Sequence, residues 1–167
     1  MEKKIIQLPK ESNKSAKPSE KKKREVVSHR DWDTDINITN AFEQIKNNTK
    51  EGGSNLVYKE LTKKRSSYMS QDKKKKLYDE NKFILLDEII DKIIACDSKC
   101  FYCKKEVFIL YENIREPLQW SLERIDNAEG HNESNVEISC LHCNLHRKTM
   151  HYERYKFTKE MTLIKKG

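Results

Sequence analysis

Cys100-Phe101-Tyr102-Cys103 and Cys140-Leu141-His142-Cys143 are two C-x2-C pairs separated by the 36 residues 104–139. A C-x2-C pair lets two thiolates approach one ion from a tight turn, and two pairs complete the tetrahedral four-sulfur shell that Zn2+ favours. Such a closed shell has no open position for substrate, so Cys100, Cys103, Cys140 and Cys143 are expected to hold a structural ion that acts as a staple rather than a catalyst. A thioredoxin-like redox role would need a βαβ context and would leave one pair idle. A RING-type ligase would need two interleaved sites and about eight ligands. The insert is longer than a minimal zinc ribbon needs, so it must itself be structured and held at both ends by the metal.

Working outward, Val107-Phe108-Ile109-Leu110-Tyr111 reads as a short strand, and Leu118, Trp120 and Leu122 alternate with Gln119, Ser121 and Glu123 in a second strand running to about Ile125. Asn127-Ala128-Glu129-Gly130 is turn-like, Val136 and Ile138 alternate again, and Leu141 to Tyr155 is polar, basic and helix-compatible. Upstream, Leu77, Phe83, Ile84, Leu86, Ile89, Ile90, Ile93 and Ile94 predict a helix over 71–95 with Ser70 as N-cap, Lys73–Lys76 as a solvated first turn and Cys96 as a small buried side chain at its end. Residues 31–69 are ambiguous and read as a poorly ordered or short-helix linker, with Ile36, Ile38, Phe42 and Ile45 suggesting a short helix and Glu51-Gly52-Gly53-Ser54-Asn55 a break. Residues 1–30, with Lys21-Lys22-Lys23-Arg24 and few apolar anchors, read as a disordered basic arm, either a solvated tail or a contact for nucleic acid or import machinery. The expected fold is α+β: a leading helix and a small ββα unit over residues 70–167, closed by one four-cysteine zinc site.

Lys and Arg number 34 against 27 Asp and Glu, a formal charge of +7 and a pI near 9.0, which makes a polyanion the expected partner. No apolar run approaches the roughly 18 residues that span a bilayer, and Met1-Glu2-Lys3-Lys4 does not open a secretory signal. An intracellular protein of nucleus or cytoplasm is therefore expected. In that reducing setting, five cysteines point to metal ligation rather than disulfides. Nothing in the sequence specifies an oligomeric state.

Between the pairs, Trp120-Ser121-Leu122-Glu123-Arg124-Ile125-Asp126-Asn127-Ala128-Glu129-Gly130-His131 leads to Asn135, and Asn144 follows Cys143 directly. Over residues 100 to about 150 this resembles the HNH endonuclease family in its zinc-bearing ββα-metal form. The resemblance implies Glu123 as the acidic metal ligand, Arg124 at the motif histidine, Asn135 as the central asparagine and Asn144 as the metal ligand on the helix. It implies cleavage of phosphodiester bonds, with DNA as the first substrate, and Mg2+ or another divalent ion held by Glu123 and Asn144. Two departures matter: Glu123 replaces the usual Asp, and Arg124 cannot act as a base because a guanidinium does not deprotonate near neutrality. Arg124 is then expected to clamp a phosphate oxygen, with His131 as the general base.

Strand parity leaves an alternative, because Arg124 and Asp126 would share a face opposite Glu123 and Asp126 could be the acidic ligand instead. Arg124 and Asp126 could equally form a surface ion pair worth under roughly 1 kcal/mol. His142 and His146, four apart, share a helix face that can bind metal or simply lie at the surface. Asn135 is expected to tie its loop through side-chain bonds to backbone. Two rival functions stand beside the nuclease: a non-catalytic zinc-ribbon module for nucleic acid, and a zinc-bearing protein-interaction adaptor.

Overall fold

Leu86, Ile89, Ile90 and Ile93 follow the i, i+3, i+4, i+7 spacing of a one-sided helix, and this segment packs the centre of the molecule. The structure, a computed structural model, describes residues 41–47 and 56–161. It is α+β, with α1 (Ala41–Lys46), α2 (Leu56–Lys75), α3 (Leu86–Ala95), β1 (Trp120–Arg124), a 3-10 turn (Glu133–Asn135), β2 (Val136–Cys140), α4 (Leu141–Arg147) and α5 (Tyr152–Glu160). The basic arm of residues 1–30, Ile36, Ile38, His29 and the 51–55 break lie outside the described residues. No helix among the described residues is long and apolar enough to cross a membrane.

The helix expected over 71–95 is two helices. Ser70 lies inside α2, where its hydroxyl donates to the Ser66 carbonyl, and α2 ends as Lys76 adopts a φ of 60°. The chain then crosses to the loop before β2: Phe83 bridges Asn132, and Ile84 N donates to His131 O at 3.0 Å. A new helix starts at Leu86, with the Glu88 carboxylate accepting from Leu85 N at 2.7 Å. Leu77 to Phe83 is a step of six, off the helical period, which is the local trace of this break. The folded unit also begins before residue 70, because Val57 and Leu61 of α2, with Ala41 and Ile45 of α1, are buried in the same cluster as α3 and the sheet.

β1 and β2 form a two-stranded antiparallel sheet in which Trp120 faces Cys140, Ser121 faces Ser139 and Leu122 faces Ile138. The alternation seen in the sequence separates two kinds of covered surface, since Trp120 to Glu123 are all buried. Trp120, Leu122 and Ile138 join the apolar core. On the other face, Ser121 Oγ donates to Ser139 O, and α4 closes over it through Asn144. The strand expected at 107–111 reduces to isolated bridges, Lys99 with Glu106 and Phe108 with Gln119. Val107, Ile109, Leu110 and Tyr111 are buried and Phe108 is exposed, without a partner strand long enough to form a ladder.

The final helix, expected as one from Leu141 to about Tyr155, breaks where Lys148 takes a φ of 52°. The bend lets Arg147 reach Met150 O at 2.9 Å and returns Tyr155 of α5 onto Tyr102, ring centroids 4.9 Å apart and edge-on.

Candidate functional site

The four cysteines come from two local turns. Cys100 O accepts from Lys104 N at 3.0 Å, with Lys104 at a φ of 59°, so Cys100 and Cys103 lie on one side of a tight knuckle. Cys140 ends β2 and caps α4, its sulfur accepting from Cys143 N at 3.4 Å. Their ligand atoms all lie within 4.8 Å of one another, forming a cluster able to hold a metal ion. A tetrahedral ion with bonds of about 2.3 Å to sulfur sets sulfur–sulfur edges of about 3.8 Å. Cys103 Sγ and Cys140 Sγ are 3.9 Å apart. Hydrogen bonds from Cys140 and Cys143 hold the Cys100 thiol far below its ordinary range, and the same contacts push Cys143 far above it. Without an ion the cluster is one thiolate, Cys100, held by neighbouring thiols, and a bound cation would draw the ligands to the thiolate form. Cys96, outside the cluster, is half-buried and donates to Ile93 O, and burial raises its thiol, which makes it a poor nucleophile.

Residues of α2, the end of β1 and α4 line a cleft of about 390 Å3. Glu123, Arg124, His131 and Asn144 all line it, together with Tyr68, Gln71 and Lys75 from α2, Arg147 at the end of α4 and Lys148 just after it. Asp126 is absent from this lining. Its carboxylate accepts from Ala128 N at 2.8 Å in an Asx-type turn, and β1 ends at Arg124, so strand parity does not extend to Asp126. Arg124 turns onto the carbonyls of Glu129 (2.9 Å) and Asn127 (3.2 Å) rather than pairing with Asp126. Asn135, buried, binds both ends of the loop: its Oδ1 accepts from Asp126 N, and its Nδ2 donates to Asp126 O and Gly130 O, all at 2.9–3.0 Å.

Glu123 is 2% exposed and in contact with Arg147, and Tyr102 OH donates to its Oε1 at 3.2 Å. Burial pushes its carboxyl above the usual range, and Arg147 only partly offsets this. Asn144 donates to Leu122 O (3.1 Å) and Ser121 Oγ (3.2 Å), which fastens α4 to β1 and leaves its Oδ1 outside those bonds. Glu123 and Asn144 thus offer two oxygens on one cleft. Carboxylate and amide oxygens are donor types that a hard divalent ion accepts. Among the described residues, the cysteine quartet is the one cluster of three or more His, Cys, Asp or Glu close enough to surround an ion alone.

His131 is held from two sides. Its Nδ1 lies 2.8 Å from Asp72 Oδ1 and its backbone N donates to Asp72 Oδ2 at 2.6 Å, while its ring lies against Tyr68 with centroids 4.5 Å apart. Burial lowers its pKa below the ordinary imidazole range; Asp72 pulls it up, and Arg124 and Lys75 add to the lowering. A histidine depressed in this way favours the folded state above its ordinary pKa, and that contribution is lost as pH falls through the folded value. The glycine before it is needed for close approach. A Cβ on Gly130 would lie 2.4 Å from Leu77 O and 2.9 Å from Asp72 Oδ2. Gly130→Ala is expected to destabilise the protein by about 1–3 kcal/mol through this overpacking, read as a lower urea midpoint at unchanged slope.

His142 and His146 stack with centroids 4.0 Å apart, and His146 Nδ1 donates to His142 O at 2.7 Å, which engages that nitrogen within its own helix. His151 is exposed beside Tyr152. Asp72, Tyr68 and Arg147 are the site residues that sequence reasoning missed. Asp72 lies in a lysine-rich helical stretch, 59 residues from its partner, and nothing local marks it as buried. Compared with known proteins, the chain matches no family profile, no curated sequence and no solved structure.

Proposed function

We propose that the chain is an HNH-type, metal-dependent endonuclease that hydrolyses phosphodiester bonds in DNA, with a structural Zn2+ in the cysteine quartet. The observation that supports this reading is the convergence of Glu123, Arg124, His131 and Asn144 on one cleft beside Lys75 and Lys148. They come from β1, the loop before β2 and α4, and α4 also carries Cys143 of the four-sulfur cluster. A nuclease needs a group to accept a proton from water, cationic groups around the phosphate, and oxygen donors for a hard ion. His131, the cations Arg124, Lys75 and Lys148, and the oxygen-bearing Glu123 and Asn144 all line this cleft.

A divalent ion such as Mg2+, held by Glu123 and Asn144, would neutralise charge on the scissile phosphate. Lys75 and Lys148 hold the flanking backbone through charge. Arg124, fixed by two loop carbonyls, keeps part of its five-donor fork for a phosphate oxygen. His131 takes the proton of the attacking water, and Asn135 keeps its loop in register with β1.

The engagement of Glu123 by Arg147 favours a second reading, in which the cleft binds nucleic acid without cutting it. Incubation with supercoiled plasmid in Mg2+ or Mn2+ separates the two. Relaxed or linear product is expected from the wild type. Asn144→Ala is expected to lose cleavage by on the order of 100-fold or more while costing only about 1 kcal/mol in stability for its lost hydrogen bonds and keeping its zinc. Binding with no cutting in any divalent ion gives the non-catalytic reading, and an Asn144→Ala variant that cuts at the wild-type rate rejects this site.

A further inference from the structure

Asp72 is fully buried, and it sits in the last turn of α2, where the helix dipole disfavours an anion. Burying a carboxylate there costs free energy unless specific partners hold it. Both of its oxygens point at one residue: Oδ2 accepts the His131 backbone N–H and Oδ1 meets the ring at Nδ1. Gly130 supplies the space that lets the two segments approach, and Ile84 N pins the His131 carbonyl on the other side. Tyr68, one helical turn before Asp72, covers the ring and accepts the Leu122 N–H at 3.1 Å, which ties this corner to β1. Helix α2 therefore carries a bracket for one imidazole that faces the cleft.

We propose that Asp72 is the positioning residue of the site: it fixes His131 as the Nδ1–H tautomer and leaves Nε2, on the far side of the ring, as the proton acceptor toward the cleft. This rests on the endonuclease reading. In the hydrolytic step, Nε2 takes a proton from water as the water oxygen bonds to phosphorus. The bond from phosphorus to the leaving oxygen breaks, the leaving oxygen takes up a proton from solvent, and the imidazolium later returns its own to solvent. The Asp72 charge stabilises that imidazolium without taking the proton. A carboxylate accepts only, so it dictates which ring nitrogen carries hydrogen.

Asp72→Asn tests this. The amide oxygen can still accept the His131 backbone N–H, but its NH2 would face Nδ1 as a donor and drive the proton to Nε2. Nitrogen NMR of the imidazole in the full chain should show Nδ1–H in the wild type and Nε2–H in Asp72→Asn. Cleavage of plasmid in Mg2+ should fall by on the order of 100-fold or more. The acid limb of the remaining activity should move to lower pH, because the charges facing the ring are Asp72, Arg124 and Lys75, and the variant loses the one that raises its pKa. A loss of packing alone would lower the rate without moving that limb or the tautomer. The wild-type tautomer needs no variant: finding Nε2–H there overturns the proposal even if Asp72→Asn does not fold. A wild type that shows Nδ1–H but cuts no DNA removes the endonuclease reading and the catalytic role with it, while the tautomer assignment stands. A wild type that cuts while Asp72→Asn cuts equally with an unmoved limb overturns the proposal alone.

Discussion

Withholding metal from the cysteine quartet, or replacing Cys143 with Ser, is expected to abolish the cooperative thermal unfolding of the domain. Apparent binding energies of structural zinc are about 10–16 kcal/mol, comparable to or above the roughly 5–15 kcal/mol total stability of ordinary domains. The quartet joins the knuckle at Cys100–Cys103 to the junction of β2 and α4, so its loss frees the covering of the sheet from the sheet itself. Calorimetry with and without a strong chelator, beside elemental analysis for about one zinc per chain, reads the result. Because the ligands must be thiolates, zinc affinity falls as pH falls and protons compete for sulfur. A sharp transition retained in metal-free protein would reject the staple.

Arg147→Met carries the second large effect. Arg147 is 4% exposed and touches Glu123, while its remaining donors reach Arg124 O (2.6 Å), Asn127 Oδ1 (2.8 Å) and Met150 O (2.9 Å). Removing it leaves Glu123 buried without its counter-charge, and breaking a buried pair from one side costs about 3–5 kcal/mol. For a domain of this size that is a fall in Tm on the order of 20 °C. Adding Glu123→Gln to Arg147→Met should restore part of the loss, because the uncompensated charge is gone. If the double variant is no more stable than Arg147→Met alone, the carbonyl contacts and not the ion pair carry the cost. Arg147 read from sequence as one of several cations on a basic helix, because a charge on a polar segment carries no local sign of burial.

The contrast between Arg147 and Lys148, adjacent in sequence, shows where local reading stops. Lys148 lines the open side of the cleft and Arg147 is closed inside it, a difference set by the positive φ at Lys148 and by where Glu123 lies across the sheet. The same holds for the two carboxylates left open by the sequence. Glu123 reaches the cleft and Asp126 does not, because the strand ends one residue after Glu123 and Asp126 spends its side chain on its own turn.

Elements with local causes are legible in the order of residues alone. The two C-x2-C turns, the β1 and β2 patterns, the loop between them and the side-chain role of Asn135 all depend on residues a few positions apart, where spacing and turn chemistry act directly. The break of the expected 71–95 helix, the burial of Val57 and Leu61, the Glu123–Arg147 pair and the Asp72–His131 bracket arise only when the elements pack together. Each of these joins residues that are distant in sequence or depends on a core formed by several elements. Its energy comes from desolvation and packing after those elements meet, and no local pattern of residues records that.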